Sequence, residues 1–414
     1  MRFHKAILTA AAAAALLAAA PVSAQIDDAL CEVDPSQCPP PPPPPEEPPP
    51  SEPPPSDPPP EPQPGEPELC PIEVSQGLGV FVGMVSDQLF ANPDPQYRRC
   101  ALNRHADAGV RIIRQAMYWK TIELVRGQYD WAHWDQYVED VARHGIQVMP
   151  IIFDAPVWHQ QRRTRTSSWA SMPPRPAAMA SFAGRLVRRY GPEGSFWEER
   201  PELPPMPIRH WQIWNEPNLP RYWAERPSAA EYVKLLRASY RRIKREDPGA
   251  QVVAAGMPDS RLFRVIPLYA YITQMYEAGA RGTFDAIAVN AYAEKPGMMI
   301  KNLGKVRAIM RFFRDHSNIW ITEMGWGTGG PKYRFRVNRT QQAKLIGQAL
   351  GKLRKNRRKL GLKGFVHYMW QDAPPYGTTP DFWGLHTGLL DITGDEKPAY
   401  AVFRKHAHDL RWLP

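Results

Sequence analysis

Beyond residue 70 the chain alternates short apolar runs with longer stretches of helical period. The short runs lie at 79–83, 110–114, 147–153, 208–214, 251–255, 284–290, 319–322 and 364–369. They are rich in β-branched, alanine or aromatic residues and predict eight strands. The intervals predict helices. Ser228-Ala-Ala-Glu231 reads as a capping box, in which each side chain satisfies a free backbone N–H at a helix start, and Leu235, Leu236, Tyr240 and Ile243 follow as one apolar stripe until Asp247-Pro-Gly249 stops it. Pro176 opens another helix, with Met179, Phe182, Ala183, Leu186, Val187 and Tyr190 on one face and Gly191 closing it. Eight strand–helix units in series predict an α/β fold, a (β/α)8 TIM barrel, whose functional side chains collect at the C-terminal ends of the strands. An open doubly wound sheet is the alternative, but no glycine-rich nucleotide loop follows the first run.

Two of the strands end alike. Trp211-Gln-Ile-Trp-Asn-Glu-Pro-Asn218 carries Glu216 out of an apolar run, and Asn318-Ile-Trp-Ile-Thr-Glu-Met-Gly-Trp326 does the same with Glu323. Cleavage of a glycosidic bond needs one carboxyl to protonate the leaving oxygen and another to act as nucleophile or base. A pair of strand-end glutamates on one face of a barrel meets that requirement.

The segment before residue 70 is of another kind. Arg2 and Lys5 precede an alanine and leucine run, and Val22-Ser23-Ala24 offers a small-residue cleavage site, so residues 1–24 are expected to be a secretory signal peptide and the protein secreted or extracytoplasmic. The apolar run is shorter than the ~20 residues a membrane span needs, and no membrane insertion is expected. Residues 25–69 are an acidic, proline-rich stretch that cannot bury apolar surface, expected to be a disordered linker. Residues 70–414 remain as one domain. The cysteines at 31, 38, 70 and 100 suit disulfides in an exported protein. Pairing 31 with 38 and 70 with 100 is the shortest-loop choice of three connectivities.

Charge changes the picture at this boundary. Residues 25–69 hold 11 acidic and no basic side chains, which leaves 50 basic against 31 acidic in residues 70–414. Such a domain favours anionic surroundings. No nucleic-acid motif is present, and clusters such as Arg354-Lys-Asn-Arg-Arg-Lys359 fall on predicted outer helices, where solvated faces explain them and no nucleic-acid partner is expected. The histidines are scattered without a metal-ligand pair, and neither metal nor cofactor is expected. A monomer is expected.

Trp-Asn-Glu-Pro closing the fourth run, Thr-Glu-Met-Gly-Trp closing the seventh and Tyr-Met-Trp closing the eighth resemble the clan A glycoside hydrolases, most closely family 39-like and family 5-like enzymes. The resemblance spans nearly all of residues 76–410. It implies a retaining enzyme on a (β/α)8 barrel acting on an oligosaccharide or polysaccharide, with Glu216 as acid/base, Asn215 on the sugar 2-hydroxyl and Glu323 as nucleophile. Arg114 is then the cation beside Glu323, against the plainer reading of a structural ion pair. Tyr292 donates to the nucleophile, and Asn290 stands where the clan often has histidine. Trp370 is expected to floor the sugar subsite, with a core tryptophan as the competing reading.

Further tryptophans at 119, 158, 169, 326 and 383 fall in predicted loops at the same face, with Trp158 and Trp326 as expected sugar contacts. The loops also carry Arg162, Arg163 and Arg165, then Arg261 and Arg264, then Lys332, Arg334, Arg336 and Arg339. These imply an anionic glycan such as an acidic exopolysaccharide, or else a generally basic surface. A carbohydrate-binding protein without catalysis on the same barrel is the competing class.

Overall fold

The computed structural model describes residues 70–161, 171–224, 226–375 and 380–413. The expected signal peptide, the proline-rich linker, the Cys31–Cys38 pairing, Arg162, Arg163, Arg165 and Trp169 lie outside the described residues.

Eight parallel strands close into a barrel: β1 (Val82–Met84), β2 (Ile112–Tyr118), β3 (Gln147–Phe153), β4 (His210–Asn215), β5 (Gln251–Pro258), β6 (Ala286–Asn290), β7 (Asn318–Met324) and β8 (Leu362–His367). β8 pairs with β1, so no edge is left open. Helices fill the intervals. Ser228 Oγ accepts from the Glu231 N–H at 3.3 Å and opens the helix Ala229–Glu246, as the capping pattern predicts. The Glu231 carboxylate also accepts from the Trp223 indole at 3.2 Å, tying the helix start to the loop after β4. The face of Pro176–Tyr190 that holds Met179, Phe182, Leu186 and Tyr190 is buried against the sheet layer, each large side chain contributing on the order of 2 kcal/mol. No helix among the described residues is long and apolar enough to cross a membrane.

The barrel interior divides along its axis. Its lower part is apolar: Ile112, Met149, Val253, Ala288, Trp320 and Val366 form one buried cluster. Size is matched across it, because a Cβ at Gly364 would stand 2.3 Å from the Trp320 ring. Cys70 and Cys100 form a disulfide that ties the chain entering the barrel to the helix Pro95–Asp107. Closing a loop of that length contributes about 3–4 kcal/mol in the chain-entropy picture.

Candidate active site

At the C-terminal end the interior turns polar. Arg114, Gln212, Asn290 and Thr322 are all buried there, and groups of this kind stay in a barrel only if they satisfy one another. They do. The Arg114 guanidinium donates from Nε to Gln212 Oε1 at 2.8 Å, from Nη1 to Glu323 Oε1 at 2.9 Å and from Nη2 to Asn215 Oδ1 at 3.0 Å. Tyr292 Oη donates to the other oxygen of Glu323 at 2.9 Å. Asn290 Nδ2 donates to Glu216 Oε1 at 2.6 Å while its own carbonyl accepts from Thr322 Oγ1 at 2.8 Å. Gly256 on β5 leaves room for this pair, since a Cβ there would lie 2.5 Å from both Asn290 Oδ1 and Thr322 Oγ1.

Two departures from strand alternation aim the carboxyls. On β4, Trp214 adopts φ 72° and packs outward with its indole N–H on the Tyr222 carbonyl at 2.7 Å, so Asn215 next to it turns into the barrel. Glu216 itself has φ 42°. Left-handed backbone at two non-glycine positions so close together is strain of the kind that clusters at working sites. On β7 the register slips: Val289 pairs with Ile321, but Asn290 pairs with Glu323, so Thr322 is the extra residue of a bulge. Consecutive Thr322 and Glu323 thereby both reach the Asn290–Arg114 network.

The two carboxyls sit in unlike surroundings. Burial, and next the charge of Glu323, push Glu216 up to about 8, against the opposing pull of the Asn290 hydrogen bond and Arg114. Glu323 faces a guanidinium on one oxygen and a phenol on the other. Burial, then Glu323, raise Tyr292 well above the usual tyrosine range, which keeps its proton available for donation. One carboxyl protonated and its neighbour held by a cation is the arrangement that acid-assisted displacement requires.

Of the residues expected from sequence, Glu216, Glu323, Asn215, Arg114, Asn290 and Tyr292 are thus brought together. The three expected tryptophans are not joined to this network. Trp370 is 2% exposed, stacked on His105 at 3.8 Å and edge-on to Tyr400 at 5.8 Å, so it is a core residue and offers no face to a sugar. Trp326 is 1% exposed, and its indole N–H is taken by the carbonyls of Ala293 and Glu294. Trp119 is buried as well, under His159. Trp158 stands half-buried on the loop after β3, its indole N–H 3.3 Å from Glu123 Oε1. Arg339 pairs with Asp391 at 3.0 Å.

Sequence reasoning gave no role to Gln212, Thr322 or Tyr368, and placed Trp383 only among the loop tryptophans of this face. Gln212 had a signal, a lone amide in the apolar run 208–214. At the end of β8 it is Tyr368, following strand residue His367, that meets Tyr292, with ring centres 6.4 Å apart. Trp383 packs edge-on against Tyr292 at 4.9 Å from a turn far along the loop that follows β8.

No protein-family model matches the chain, and no curated protein matches it. Solved structures do. A family 39 glycoside hydrolase from the gut symbiont Bacteroides cellulosilyticus WH2 is similar at TM-score 0.56 and 18% identity, over 82% of this chain and 66% of that one. A family 39 beta-xylosidase from Caulobacter crescentus is similar at TM-score 0.55 and 19% identity, over 80% of this chain and 73% of that one. A family 53 catalytic domain from Ignisphaera aggregans is similar at 0.52 and 17%, over 80% and 98%. The chain spans about two thirds of the first of these. At such identities the likeness is one of fold: this is the barrel on which those glycoside hydrolases are built.

Proposed function

We propose that this protein is a retaining O-glycosidase, with Glu216 as general acid/base and Glu323 as nucleophile. The observation that carries the reading is the pair of strand-end carboxyls in unlike environments within one hydrogen-bonded network, Glu216 raised to about 8 and Glu323 bonded to Arg114 and Tyr292. In the first step Glu323 attacks the anomeric carbon while Glu216 gives its proton to the departing glycosidic oxygen, leaving a glycosyl ester on Glu323. In the second, Glu216 takes a proton from water as that water attacks the same carbon and frees Glu323. Asn215, whose amide nitrogen has no partner among the described residues, is then available to the sugar 2-hydroxyl. Such double displacement requires carboxyls ~5–5.5 Å apart.

The substrate is a polysaccharide or oligosaccharide met outside the cytoplasm, because the first 24 residues read as a leader for export. An anionic exopolysaccharide is the favoured class. Arg261, Arg264, Lys332, Arg334 and Arg336 are exposed on the loops after β5 and β7, and none of them pairs with a carboxylate among the described residues.

The test is reducing-end release from a panel of neutral and acidic polysaccharides and aryl glycosides by the mature protein, with Glu216→Gln and Glu323→Gln beside it, and NMR of the first-formed anomer. Loss in both variants with a retained anomer supports the assignment. An inverted anomer, or activity that survives either substitution, overturns it. A wild type that binds a glycan and cleaves none would make it a carbohydrate-binding protein.

A further inference from the structure

The loop after β7 folds back on its own start. Gly327 N–H donates to the Phe335 carbonyl at 3.0 Å, Val337 N–H donates to the Gly327 carbonyl at 2.8 Å, and a turn from Tyr333 to Arg336 closes at 2.9 Å. This presents Tyr333, Arg334 and Phe335 to the turn Trp383–His386. The approach is close because the loop begins with glycines: a Cβ at Gly327 would lie 2.2 Å from the Trp383 carbonyl oxygen, and one at Gly329 2.6 Å from the His386 ring. Lys397, buried, locks the same junction, donating to Asp372 Oδ1 at 2.7 Å and to Thr328 Oγ1 at 2.9 Å.

The result is a wall of rings that starts at the nucleophile. Tyr292, bonded to Glu323, meets Trp383 edge-on at 4.9 Å; Trp383 meets Phe335 edge-on at 4.9 Å and lies parallel to Tyr333, 6° between planes and 5.8 Å between centres. Tyr333 is 45% exposed and Trp383 half-buried. Over the outer end of this wall stands Arg334, its guanidinium carbon 4.8 Å from the Phe335 centre and 5.9 Å from that of Tyr333. Lys332 and Arg336 flank it, exposed. None of the three has a carboxylate partner among the described residues, whereas Arg339, shortly beyond on the same segment, is supplied with Asp391.

Aromatic faces take the C–H surface of a sugar ring, and a guanidinium presents a planar fork of donors that fits a carboxylate through two parallel hydrogen bonds. An arginine already resting on a ring loses less freedom on binding than one in solvent. We propose that Trp383, Tyr333 and Arg334 form a subsite for a carboxylate-bearing sugar, a hexuronate, on the nucleophile side of the cleft. This assignment rests on the glycosidase reading only for its place in a cleft. The wall and its unpaired cation stand independently of whether bonds are cleaved.

The experiment is calorimetric titration of the Glu216→Gln protein, which does not consume its ligand under the proposed mechanism. The ligands are oligomers of glucuronate, mannuronate and galacturonate and the same oligomers after chemical reduction of their carboxyls. At least one acidic oligomer is expected to bind about tenfold or more tighter than its reduced form, the range of a charge-assisted pair. Arg334→Gln should abolish that difference, Arg334→Lys should restore part of it, and Trp383→Ala should weaken acidic and reduced forms together. Acidic and reduced oligomers binding alike, a preference that survives Arg334→Gln, or no acidic oligomer binding would each overturn the subsite. Hydrolysis of neutral glycans by wild type without acid preference would sink the subsite and leave the glycosidase standing. Arg334-dependent uronate binding without hydrolysis of any glycan would do the reverse.

Discussion

The two halves of the barrel interior are made from the same strands and solve opposite problems. The lower half is filled by Trp320, Met149, Ile112 and Val253, with Gly364 and Ala288 sized to fit and the buried His210 ring edge-on to Trp320. The upper half holds a guanidinium, two carboxyls, three amides, a hydroxyl and a phenol in one hydrogen-bonded network, on strands that break alternation at Trp214 and Thr322. Close packing without strain makes the first half a source of stability. The second half is held by it in a geometry it would not choose alone, which is the usual relation between a rigid scaffold and a working site.

That contrast predicts which substitutions separate activity from stability. Glu216→Gln and Glu323→Gln should each lower kcat/KM on an aryl glycoside or polysaccharide by about 10²–10⁴-fold or more; melting temperature should stay or rise for Glu216→Gln and fall for Glu323→Gln, which leaves the buried Arg114 guanidinium without its carboxylate. A loss of stability in Glu216→Gln would mean that carboxyl is structural. Trp320→Ala should do the opposite, costing about 3–5 kcal/mol in urea unfolding because the ring it removes fills the barrel. Gly364→Ala should cost about 1–3 kcal/mol by the same measurement, since its methyl enters the space of the Trp320 ring. A neutral result would show that the lower half is looser than its packing implies.

The remaining effects are in pH, and they carry opposite signs in the two halves. His210, buried beside Trp320, is lowered to about 3 by burial first and by Lys363 next. A histidine depressed on folding contributes stability that is complete above its unfolded value of about 6.5 and is lost as pH falls toward 3. Glu216 is raised to about 8 by burial and by Glu323. Its contribution is complete below the unfolded value near 4.5 and is lost as pH rises toward 8. Melting curves from pH 4 to 8 should therefore show Glu216→Gln gaining on wild type as pH rises, and His210→Phe gaining as pH falls. A gain of Glu216→Gln at acid pH instead would contradict the assigned shift. In rate measurements, loss of the proton from Glu216 should bring kcat/KM down above about 8.

The strand ends were legible because a carboxyl leaving an apolar run is rare and needs a reason. Hence Glu216 and Glu323 stood out, with Asn215, Asn290 and Tyr292 beside them on the same or a neighbouring strand end. The tryptophans were not legible. An indole in a loop or just past a strand end reads the same whether it faces solvent or a neighbouring helix, and Trp370 and Trp326 turn out to be buried while Trp383, from the loop after β8, packs beside Tyr292. Position along a strand specifies direction through the period of two. Position in a loop specifies none.

By itself, the sequence determined the order of eight strands and their helices, the strand ends that carry Glu216 and Glu323, and the excess of positive charge, because apolar period and local chemistry are properties of neighbouring residues. Only the tertiary structure decided that Arg114 bridges Asn215 and Glu323, that Asn290 reaches Glu216, and that Tyr333, Arg334 and Trp383 meet beside Tyr292. Those contacts join residues far apart in the chain, and they exist because closing the barrel brings strand ends together around one axis while a bulge on β7 and a left-handed Trp214 turn the side chains toward it.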